Sequence, residues 1–492
     1  MVRFACARPC APVHHALWRR VTAGVMGGVM YFAPAVFLAD EVAHAAPIVD
    51  PRAPIPFQPT VTQSAGGIPV INVTAPNPQG LSANPFQRLS AGPEGLIFNN
   101  SLTGGTSLIG GAVGANPNLS GRTASTILAQ VTSQGAQYAS MIAGPLEIFG
   151  NPASLIIANP NGVSIPGGTA LTSLSNLTLT TGVPQFIDAT GAPTDFAHAG
   201  ALAYSVSSGH IDINGAPGVN GPGPGIDGTV SNLDLIAQTL SINAPLKADQ
   251  RVNVIAGNQL VTPVSTGAGG TSYATAPNGT ANTAAAMGLP PGSVVIDASQ
   301  FGSITAGEIF IAATPAGPGV NLQGALAGTA GNVSVAANGD IVIGPAYAAQ
   351  NVSLTSAGST TITGTNLAGQ NYTVNANGDI TAPGSVSAGQ DATLHAGGNL
   401  TGSGPLNVAN DTWLSAGGDR AFTGAIQTGN NLTADAGGNE HVIVKLDAKR
   451  PRQVPAFDQA KGAIRQQLEA LALQKASAQL VSAQLKGASI QQ

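Results

Sequence analysis

The chain of 492 residues is 43% hydrophobic but only 8% charged and 4% aromatic, and it contains 64 glycines and 35 prolines. A typical globular enzyme has about 25% charged residues, whereas disordered chains combine low hydrophobicity with high net charge. The net charge of −5 leaves few cations to neutralise phosphates, so the composition excludes general disorder and argues against nucleic-acid binding.

The first segment has the features of a secretory signal peptide. Arg19-Arg20 precedes an apolar run at 21–39, and small residues follow that run. This order predicts that 1–45 is removed by cleavage between Ala45 and Ala46. An uncleaved membrane anchor is the alternative, which the glycines and the proline in the apolar stretch disfavour.

The predicted mature chain has no thiol, because both cysteines, Cys6 and Cys10, lie in the signal segment. Disulfides and cysteine chemistry are therefore excluded, and stability must come from continuous packing. The histidines of the mature chain are scattered without metal-ligand spacing, and no hydrolase, phosphate-binding or dinucleotide-binding motif occurs. We expect neither a metal nor another cofactor.

The following part of the chain contains strand segments at irregular spacing. Residues 46–64 are a predicted linker or cap, and 65–325 hold apolar runs such as SLIIAN at 154–159. Such short apolar runs bounded by turn residues indicate strands. The irregular spacing predicts extra strands and loops outside the main architecture, with glycine-rich loops at 215–228 and 266–292.

A 20-residue repeat dominates 326–445. Its copies begin with Asn or Asp, continue with alternating apolar and small polar residues, and end near a glycine; they are 332–340, 351–359, 371–379, 391–399, 411–419 and 431–439. Alternation with period two indicates half-buried strands, and twenty residues hold about three short strands and three turns. Rungs stacked about 4.8 Å apart pair each strand with the rungs above and below, which predicts an all-β parallel β-helix. An antiparallel sandwich is the alternative, but it gives no reason for a fixed step.

Carboxylates recur near the turns of this repeat, at Asp340, Asp379, Asp419 and Asp435. One acidic residue per rung fits turn capping, because Asp side chains accept hydrogen bonds from nearby backbone N–H groups. Some parallel β-helices are polysaccharide-active enzymes, which need carboxylates or cations that converge on one face. The regular spacing favours a non-catalytic protein, and a polysaccharide-active enzyme is the alternative.

The tail at 446–492 differs in character from the repeats. From Lys445 onward there are eight basic and three acidic residues. Ile464, Leu468 and Leu471 have helical spacing, which predicts a short amphipathic α-helix. This basic helical tail is expected to pack on the last rung or trail from it, with binding to a partner helix as the alternative.

Two Asn-Pro-Asn motifs lie between predicted strands. The first is Asn116-Pro117-Asn118-Leu119, and the second, Asn159-Pro160-Asn161-Gly162, begins 43 residues later. The second motif fits a type I β-turn, with Asn first, Pro second and Gly fourth. As structure, each motif is predicted to be a turn at a corner between strands.

The segments around these motifs resemble the secretion domain of the filamentous haemagglutinin family, whose members are exported by two-partner secretion in Gram-negative bacteria. The similar segments follow one another in order and include GLIFNN, GANPNLSG, GNPASLIIANPNGVSI, LDLIAQTLSINAPLKADQRVNVIAG and EIFIAATPAGPGVNLQG. The similarity spans about 65–325. It implies a right-handed parallel β-helix and assigns both Asn-Pro-Asn motifs to the export signal.

The resemblance also implies partners and a location. Family members cross the inner membrane through the Sec translocon and are recognised, unfolded, by periplasmic POTRA domains of a TpsB-type outer-membrane β-barrel transporter. The chain then folds outside the cell, where it stays on the surface or is released. We expect an adhesin-like exoprotein that binds host-cell surface glycans or proteins. The alternatives are a haem-binding or protein-binding exoprotein and a truncated relative of contact-dependent inhibition proteins or haemolysins.

Overall fold

The computed structural model describes residues 47–215, 223–228, 230–267 and 270–437. The predicted signal peptide with its cleavage position at Ala45 and Ala46 lies outside the described residues, as does the predicted basic helical tail. The sequence repeats are described up to residue 437.

One repeat forms one rung of a parallel β-helix. It contains three short strands, Val352–Ser356, Thr360–Ile362 and Asn366–Ala368. Each strand pairs in parallel with its equivalent in the next rung, so that Leu354, for example, lies opposite Val374. The predicted β-helix with three strands per repeat is confirmed, and the parallel pairing excludes the antiparallel sandwich.

Stacked strands form three faces, which we call face 1, face 2 and face 3. Faces 1 and 2 belong to a 23-stranded sheet and face 3 to a 14-stranded sheet. Face 1 comprises Leu81–Arg88, Thr126–Val131, Ala153–Ala158, Leu174–Thr180, Asn232–Ala237, Arg251–Ala256, the first parts of Glu308–Leu322 and Val333–Ile343, Val352–Ser356, Tyr372–Ala376, Ala392–Ala396, Thr412–Ala416 and Leu432–Ala436.

The other two faces follow the same stacking order. Face 2 comprises Ser140–Met141, Val163–Pro166, His210–Asn214, Thr239–Ile242, Val294–Ala298, the second parts of Glu308–Leu322 and Val333–Ile343, Thr360–Ile362, Ile380–Ala382, Leu400–Gly402 and Arg420–Phe422. Face 3 comprises Pro69–Asn72, Leu96–Asn100, Leu146–Gly150, Thr169–Thr172, Ile226–Gly228, Leu246–Lys247, Ile304–Ala306, Leu326–Gly328, Ala346–Ala348, Asn366–Ala368, Val386–Ala388, Leu406–Val408 and Ile426–Thr428.

The hydrophobic core fills the inside of the coil. In strand Tyr372–Ala376, buried residues alternate with residues that face outward, and the equivalent strands repeat this alternation. Leu354, Val374 and Leu394 stack on one another in successive rungs and are fully buried. Burying one such side chain contributes about 2 kcal/mol, so the period-two pattern specifies which residues turn inward.

Four antiparallel strands form a second layer outside the helix, which we call the extra-helical sheet: Val183–Ile187, Ala201–Val206, Gln259–Gly267 and Gly270–Ala276. Its apolar side chains pack on outward-facing residues of face 1 that include Ile156, Ile236 and Ile255. Strand Asn232–Ala237 is therefore buried at every residue, including the polar Asn232 and Asp234. The extra strands predicted outside the helix are confirmed.

Both glycine-rich stretches expected to be loops contain a strand. Gly270–Ala276 lies within 266–292 and pairs with Gln259–Gly267, and Ile226–Gly228 lies within 215–228 and joins face 3. In both places a neighbouring strand supplies the hydrogen-bond partners. Local composition alone does not reveal such a partner.

Short antiparallel strands cover the edges of the first rung, an arrangement that protects a sheet against pairing with other chains.

Among the described residues, no helix is long and apolar enough to cross a membrane. The remaining elements are Ile48–Val49 paired with Leu81–Arg88, Thr60–Gln63 paired with Pro69–Asn72, the hairpin of Gly105–Ser107 and Gly111–Val113, and the 3-10 helices Ile55–Phe57 and Ala136–Tyr138.

Candidate functional site

The first Asn-Pro-Asn motif forms a turn that begins at a buried amide. Asn116 is 4% exposed, and its Nδ2 donates hydrogen bonds to the carbonyl oxygens of Val73, at 2.9 Å, and Asn99, at 2.7 Å. Its Oδ1 accepts the backbone N–H of Asn118 at 2.8 Å, which closes an Asx-type turn. A single side chain therefore fixes the turn and joins it to two other segments.

The remaining residues of this motif extend the same connections. Asn118 Nδ2 donates to the carbonyl oxygen of Asn72 at 2.8 Å, and Leu119 is buried in the main core. Pro117 is exposed and sets the backbone direction between the two asparagines. The turn is thus held at its first, third and fourth positions.

The second motif repeats this arrangement with a fully buried first residue. Asn159 Nδ2 donates to the Tyr138 carbonyl oxygen at 2.8 Å and to Ser140 Oγ at 2.9 Å. Its Oδ1 accepts hydrogen bonds from the backbone N–H of Asn161, at 3.0 Å, and from Asn161 Nδ2, at 2.8 Å. The Gly162 N–H donates to the Asn159 carbonyl oxygen at 3.0 Å, as in a β-turn.

The third and fourth positions of the second motif pack closely against neighbouring segments. Asn161 Nδ2 donates to the Ser133 carbonyl oxygen at 2.7 Å, and Asn161 Oδ1 accepts the N–H of Gly135 at 2.8 Å. Gly162 has a φ of +118°, and a Cβ there would lie 3.1 Å from the His210 carbonyl oxygen. The backbone conformation therefore favours glycine at this position, and the space for a side chain is tight.

The two motifs share the Asx-type hydrogen bond but contact different parts of the chain. The first binds residues between 60 and 101, whereas the second binds residues between 133 and 140, Thr180 and Ser208. Amide groups and backbone carbonyls carry no acid–base or nucleophilic chemistry at neutral pH. Their arrangement is suited to holding segments together.

Further buried asparagines belong to the same region, although no turn motif marks them in the sequence. Asn84 is fully buried; its Oδ1 accepts the Thr74 N–H at 2.9 Å, and its Nδ2 donates to the Leu128 carbonyl oxygen at 3.2 Å. Asn99 Nδ2 donates to Asn72 Oδ1 at 2.8 Å. The sequence feature that could have indicated these residues is the presence of asparagine inside an apolar strand segment, as in GLIFNN.

A buried carboxyl group lies between face 1 and the extra-helical sheet. Asp234 is 2% exposed, and it accepts hydrogen bonds from Asn253 Nδ2 at 2.7 Å, Tyr273 OH at 2.7 Å and Thr178 Oγ1 at 3.1 Å. Burial raises the pKa of Asp234 above its ordinary value, while these donors oppose the shift. Burial likewise raises the pKa of Tyr204, which lies close to this carboxyl group.

The carboxylates of the repeats do not converge on an active site. Asp340 Oδ1 accepts the N–H of Ser359 at 2.7 Å, and Asp379 Oδ1 accepts the N–H of Asn399 at 2.6 Å, so these side chains bind backbone in the next rung. Asp435 faces outward on face 1. In the described part of the chain, no group of three or more His, Cys, Asp or Glu residues could hold a metal ion.

Comparisons with known proteins identify relatives of this architecture. The family model for the TPS secretion domain matches residues 46–343. Filamentous hemagglutinin of Bordetella pertussis is 35% identical over 303 residues, which cover 61% of this chain and 8% of that protein. The tRNA nuclease CdiA-2 of Burkholderia pseudomallei is 34% identical over 287 residues, which cover 58% of this chain and 8% of that protein.

A solved structure extends the comparison. The crystal structure of the filamentous hemagglutinin secretion domain is 26% identical in sequence and aligns with a TM-score of 0.46, covering 80% of this chain and 100% of that chain. The chain spans 8% of the length of the curated relatives it matches.

The chain folds as a parallel β-helix with an extra-helical sheet. The match over 46–343 shows that this chain belongs to the TPS secretion domain family. It is therefore an exoprotein of a two-partner secretion system, and the family implies a cognate outer-membrane transporter as its partner. Such exoproteins are secreted through the outer membrane to the cell surface or the extracellular space.

Proposed function

We propose that the transporter recognises the secretion domain by its two Asn-Pro-Asn motifs, and that this recognition takes place before the chain folds. The burial of the leading asparagines carries this proposal: Asn116 is 4% exposed and Asn159 is fully buried. Both amides already form hydrogen bonds inside the folded domain. Only an unfolded chain offers these amides to a partner, because a buried polar group is accessible only when its segment opens.

The proposed route begins at the Sec translocon. The signal peptide at 1–45 directs the chain to the periplasm, where POTRA domains of a TpsB-type transporter bind the unfolded secretion domain at 65–325. Residues 46–64 form an N-terminal linker or cap, and the β-helical shaft at 326–445 and the basic helical tail at 446–492 follow the secretion domain. Low charge and the lack of thiols after Cys10 support this route, because few charged side chains need to be desolvated in a pore and no disulfide has to be opened.

After export we propose an adhesin-like, non-catalytic role at the cell surface. Many outward side chains of face 1 in the shaft are short and polar, such as Thr373, Asn375 and Thr393, and the aromatic Trp413 is exposed in the same face. Such a surface is suited to neutral or weakly charged host glycans and proteins. The identity to filamentous hemagglutinin supports this role. The identity to CdiA-2 supports a second candidate, a relative of contact-dependent inhibition proteins.

Export in the presence of the cognate transporter tests the main proposal. Asn159→Ala is compared with Asn84→Ala, which removes an equally buried, hydrogen-bonded amide outside both motifs. We expect Asn159→Ala to leave most of the chain in the periplasm, and Asn84→Ala to be exported in proportion to its remaining stability. Equal export of two variants with equal stability would overturn the assignment of the signal to the motif.

A further inference from the structure

Trp413 is an exposed aromatic residue in a row of small polar residues. It is 40% exposed and lies on face 1, in strand Thr412–Ala416. Trp413 belongs to none of the hydrophobic clusters of the described residues, so the indole is not part of the core. The equivalent outward residues in the other rungs of the shaft are Ser334, Ser353, Thr373, Thr393 and Thr433. The fold therefore does not require a large aromatic side chain at this position.

Hydroxyl and imidazole groups lie around the indole. Thr393 and Thr433 are directly opposite Trp413 in the rungs before and after it. Ser415 points to the same side of the strand as Trp413, and its Oγ lies 3.2 Å from Nδ1 of His395 in the preceding rung. Hydroxyl groups both donate and accept hydrogen bonds. A ligand lying on the indole therefore meets hydrogen-bonding groups along the strand and across both neighbouring rungs.

Two carboxylates lie at the corner of the shaft next to this row. Asp411 is two residues before Trp413, and Asp391 is the equivalent residue in the preceding rung. Asp391 Oδ1 accepts the Asp411 N–H at 3.1 Å, and Asp411 Oδ1 accepts the Asn431 N–H at 3.0 Å. The second oxygen of each carboxylate forms no hydrogen bond within the described residues, and both side chains are partly exposed. These two oxygens are therefore available to accept hydrogen bonds from a ligand.

The net charge near Trp413 is negative. Asp435, one rung later on face 1, adds a third carboxylate. Arg420 is the one cation in the sequence of 326–437. It lies on face 2, donates to the Leu414 carbonyl oxygen at 3.1 Å and attracts Asp435, so it offsets one of the three carboxylates. The remaining negative charge disfavours sulfated and sialylated ligands, because like charges repel.

The mixture of groups favours a neutral sugar over a cation. Aromatic sites for cations enclose the charge with several rings, and no other aromatic ring of the described residues contacts Trp413. A cationic ligand also leaves the hydroxyl donors of Thr393 and Thr433 without acceptors. A neutral sugar has an apolar C–H face that stacks on an aromatic ring, and its hydroxyl groups both donate and accept hydrogen bonds.

We propose that Trp413 and the polar groups around it form a binding site for neutral oligosaccharides on face 1 of the shaft. One sugar unit stacks on the indole, and its hydroxyl groups donate to the free oxygens of Asp391 and Asp411 and accept from Thr433. This inference rests on the adhesin-like role proposed above. It assigns the glycan contact of that role to one site and to one class of glycan.

Glycan binding by wild type and by Trp413→Thr tests the proposal. The substitution introduces the residue that occupies this row in both neighbouring rungs, so the variant is expected to fold. The probes are an array of neutral mammalian oligosaccharides, including lacto-N-tetraose, and sialylated and sulfated forms of the same glycans. We expect wild type to prefer neutral glycans and Trp413→Thr to bind them at least about tenfold more weakly. Trp413→Phe should keep most of the affinity, because it keeps an aromatic ring.

A matched control and a direct readout accompany the array. Tyr347→Ser removes an aromatic side chain that is 42% exposed on face 3, and this variant should bind glycans as wild type does. Because Trp18 lies in the predicted signal peptide, Trp413 is the only tryptophan of the predicted mature chain. Its fluorescence should therefore change when the neutral glycan that binds most strongly on the array is added.

The outcomes separate this site from the adhesin-like role. Equal affinity of wild type and Trp413→Thr, a preference for sialylated or sulfated forms, or no binding to any neutral glycan would each overturn the site. Adherence of wild type to cultured epithelial cells is measured in parallel. Adherence without the predicted loss in Trp413→Thr keeps the role and assigns it to another surface, whereas lack of adherence by wild type contradicts the role itself.

Discussion

The phenol of Tyr273 donates a 2.7 Å hydrogen bond to the carboxylate of Asp234, and this contact joins the extra-helical sheet to face 1 of the β-helix. Thr178 Oγ1 and Asn253 Nδ2 complete the shell of donors around the same carboxylate. The two layers of the secretion domain are therefore connected by a polar contact as well as by apolar packing. A buried contact of this kind specifies how the layers align, because misalignment leaves the carboxylate without donors.

Removing the Tyr273 hydroxyl is expected to loosen this connection. Tyr273→Phe leaves Asp234 one donor short and should lower the free energy of unfolding by about 1–3 kcal/mol. Urea denaturation measures the loss, and limited proteolysis should cleave the extra-helical sheet before the shaft. Tyr347→Phe is the control, because Tyr347 is 42% exposed on face 3. Equal effects of the two substitutions would contradict the role of the contact.

The raised pKa of Asp234 predicts a stability that falls as pH rises. Burial favours the neutral carboxyl group, so the folded chain binds this proton more tightly than the unfolded chain, whose carboxyl has the ordinary pKa of 3.8. Arg251 opposes this shift, while Tyr204 and Tyr273 are neutral in this range. Wild type should therefore lose stability relative to Asp234→Asn as the pH rises above 3.8. Thermal denaturation between pH 3.5 and 7 measures this difference, and a constant difference would contradict the prediction.

Asp50 predicts the opposite pH dependence at the first rung. Hydrogen bonds from Arg52 are the main cause that lowers the pKa of Asp50 from 3.8 to about 2, and the Thr132 hydroxyl contributes at 2.6 Å. This contribution to stability is present above pH 3.8 and is lost as the pH falls towards 2. Asp50→Asn should unfold at a lower temperature than wild type at pH 7. The difference should shrink as the pH approaches 2, and a difference independent of pH would contradict the assignment.

Two leucines of one rung, on faces 1 and 3, distinguish the core of the shaft from its surface. Leu354 is fully buried, whereas Leu367 is 42% exposed. Leu354→Ala should reduce the free energy of unfolding by about 2–5 kcal/mol, because it leaves a cavity between stacked rungs. Leu367→Ala should change it by no more than about 0.5 kcal/mol. Urea denaturation of both variants checks this contrast, and similar losses would mean that the face assignments are wrong.

Periodicity determined how much of the fold could be predicted. Each rung repeats the same inward positions, so the strand containing Leu354 followed from the 20-residue spacing and the period-two alternation. Asp234 and Tyr273 are 39 residues apart in an irregular region, and no local pattern indicates that they meet. The strand Gly270–Ala276 was missed for the same reason, since its partner strand lies in an extra-helical layer that has no repeat.

The candidate site was predicted in part. The turns that begin at Asn116 and Asn159 followed from the preference of Asn, Pro and Gly for turn positions. The burial of these side chains could not be predicted, because asparagine is exposed in most proteins. The supporting amides at Asn72, Asn84 and Asn99 lie inside strands, where sequence alone does not show which carbonyl or N–H group they bind.

Binding of the transporter's periplasmic domains to this chain in its unfolded and folded states tests the central claim most directly. For the unfolded state, the full chain is diluted from denaturant directly into a solution of these domains. For the folded state, the chain is added to the domains only after its refolding is complete. The two dissociation constants are then compared. Recognition of the unfolded chain predicts that refolding weakens binding at least about tenfold. Asn159→Ala should weaken binding of the unfolded chain, whereas Asn84→Ala should leave it unchanged. Equal or tighter binding of the folded chain would contradict the account.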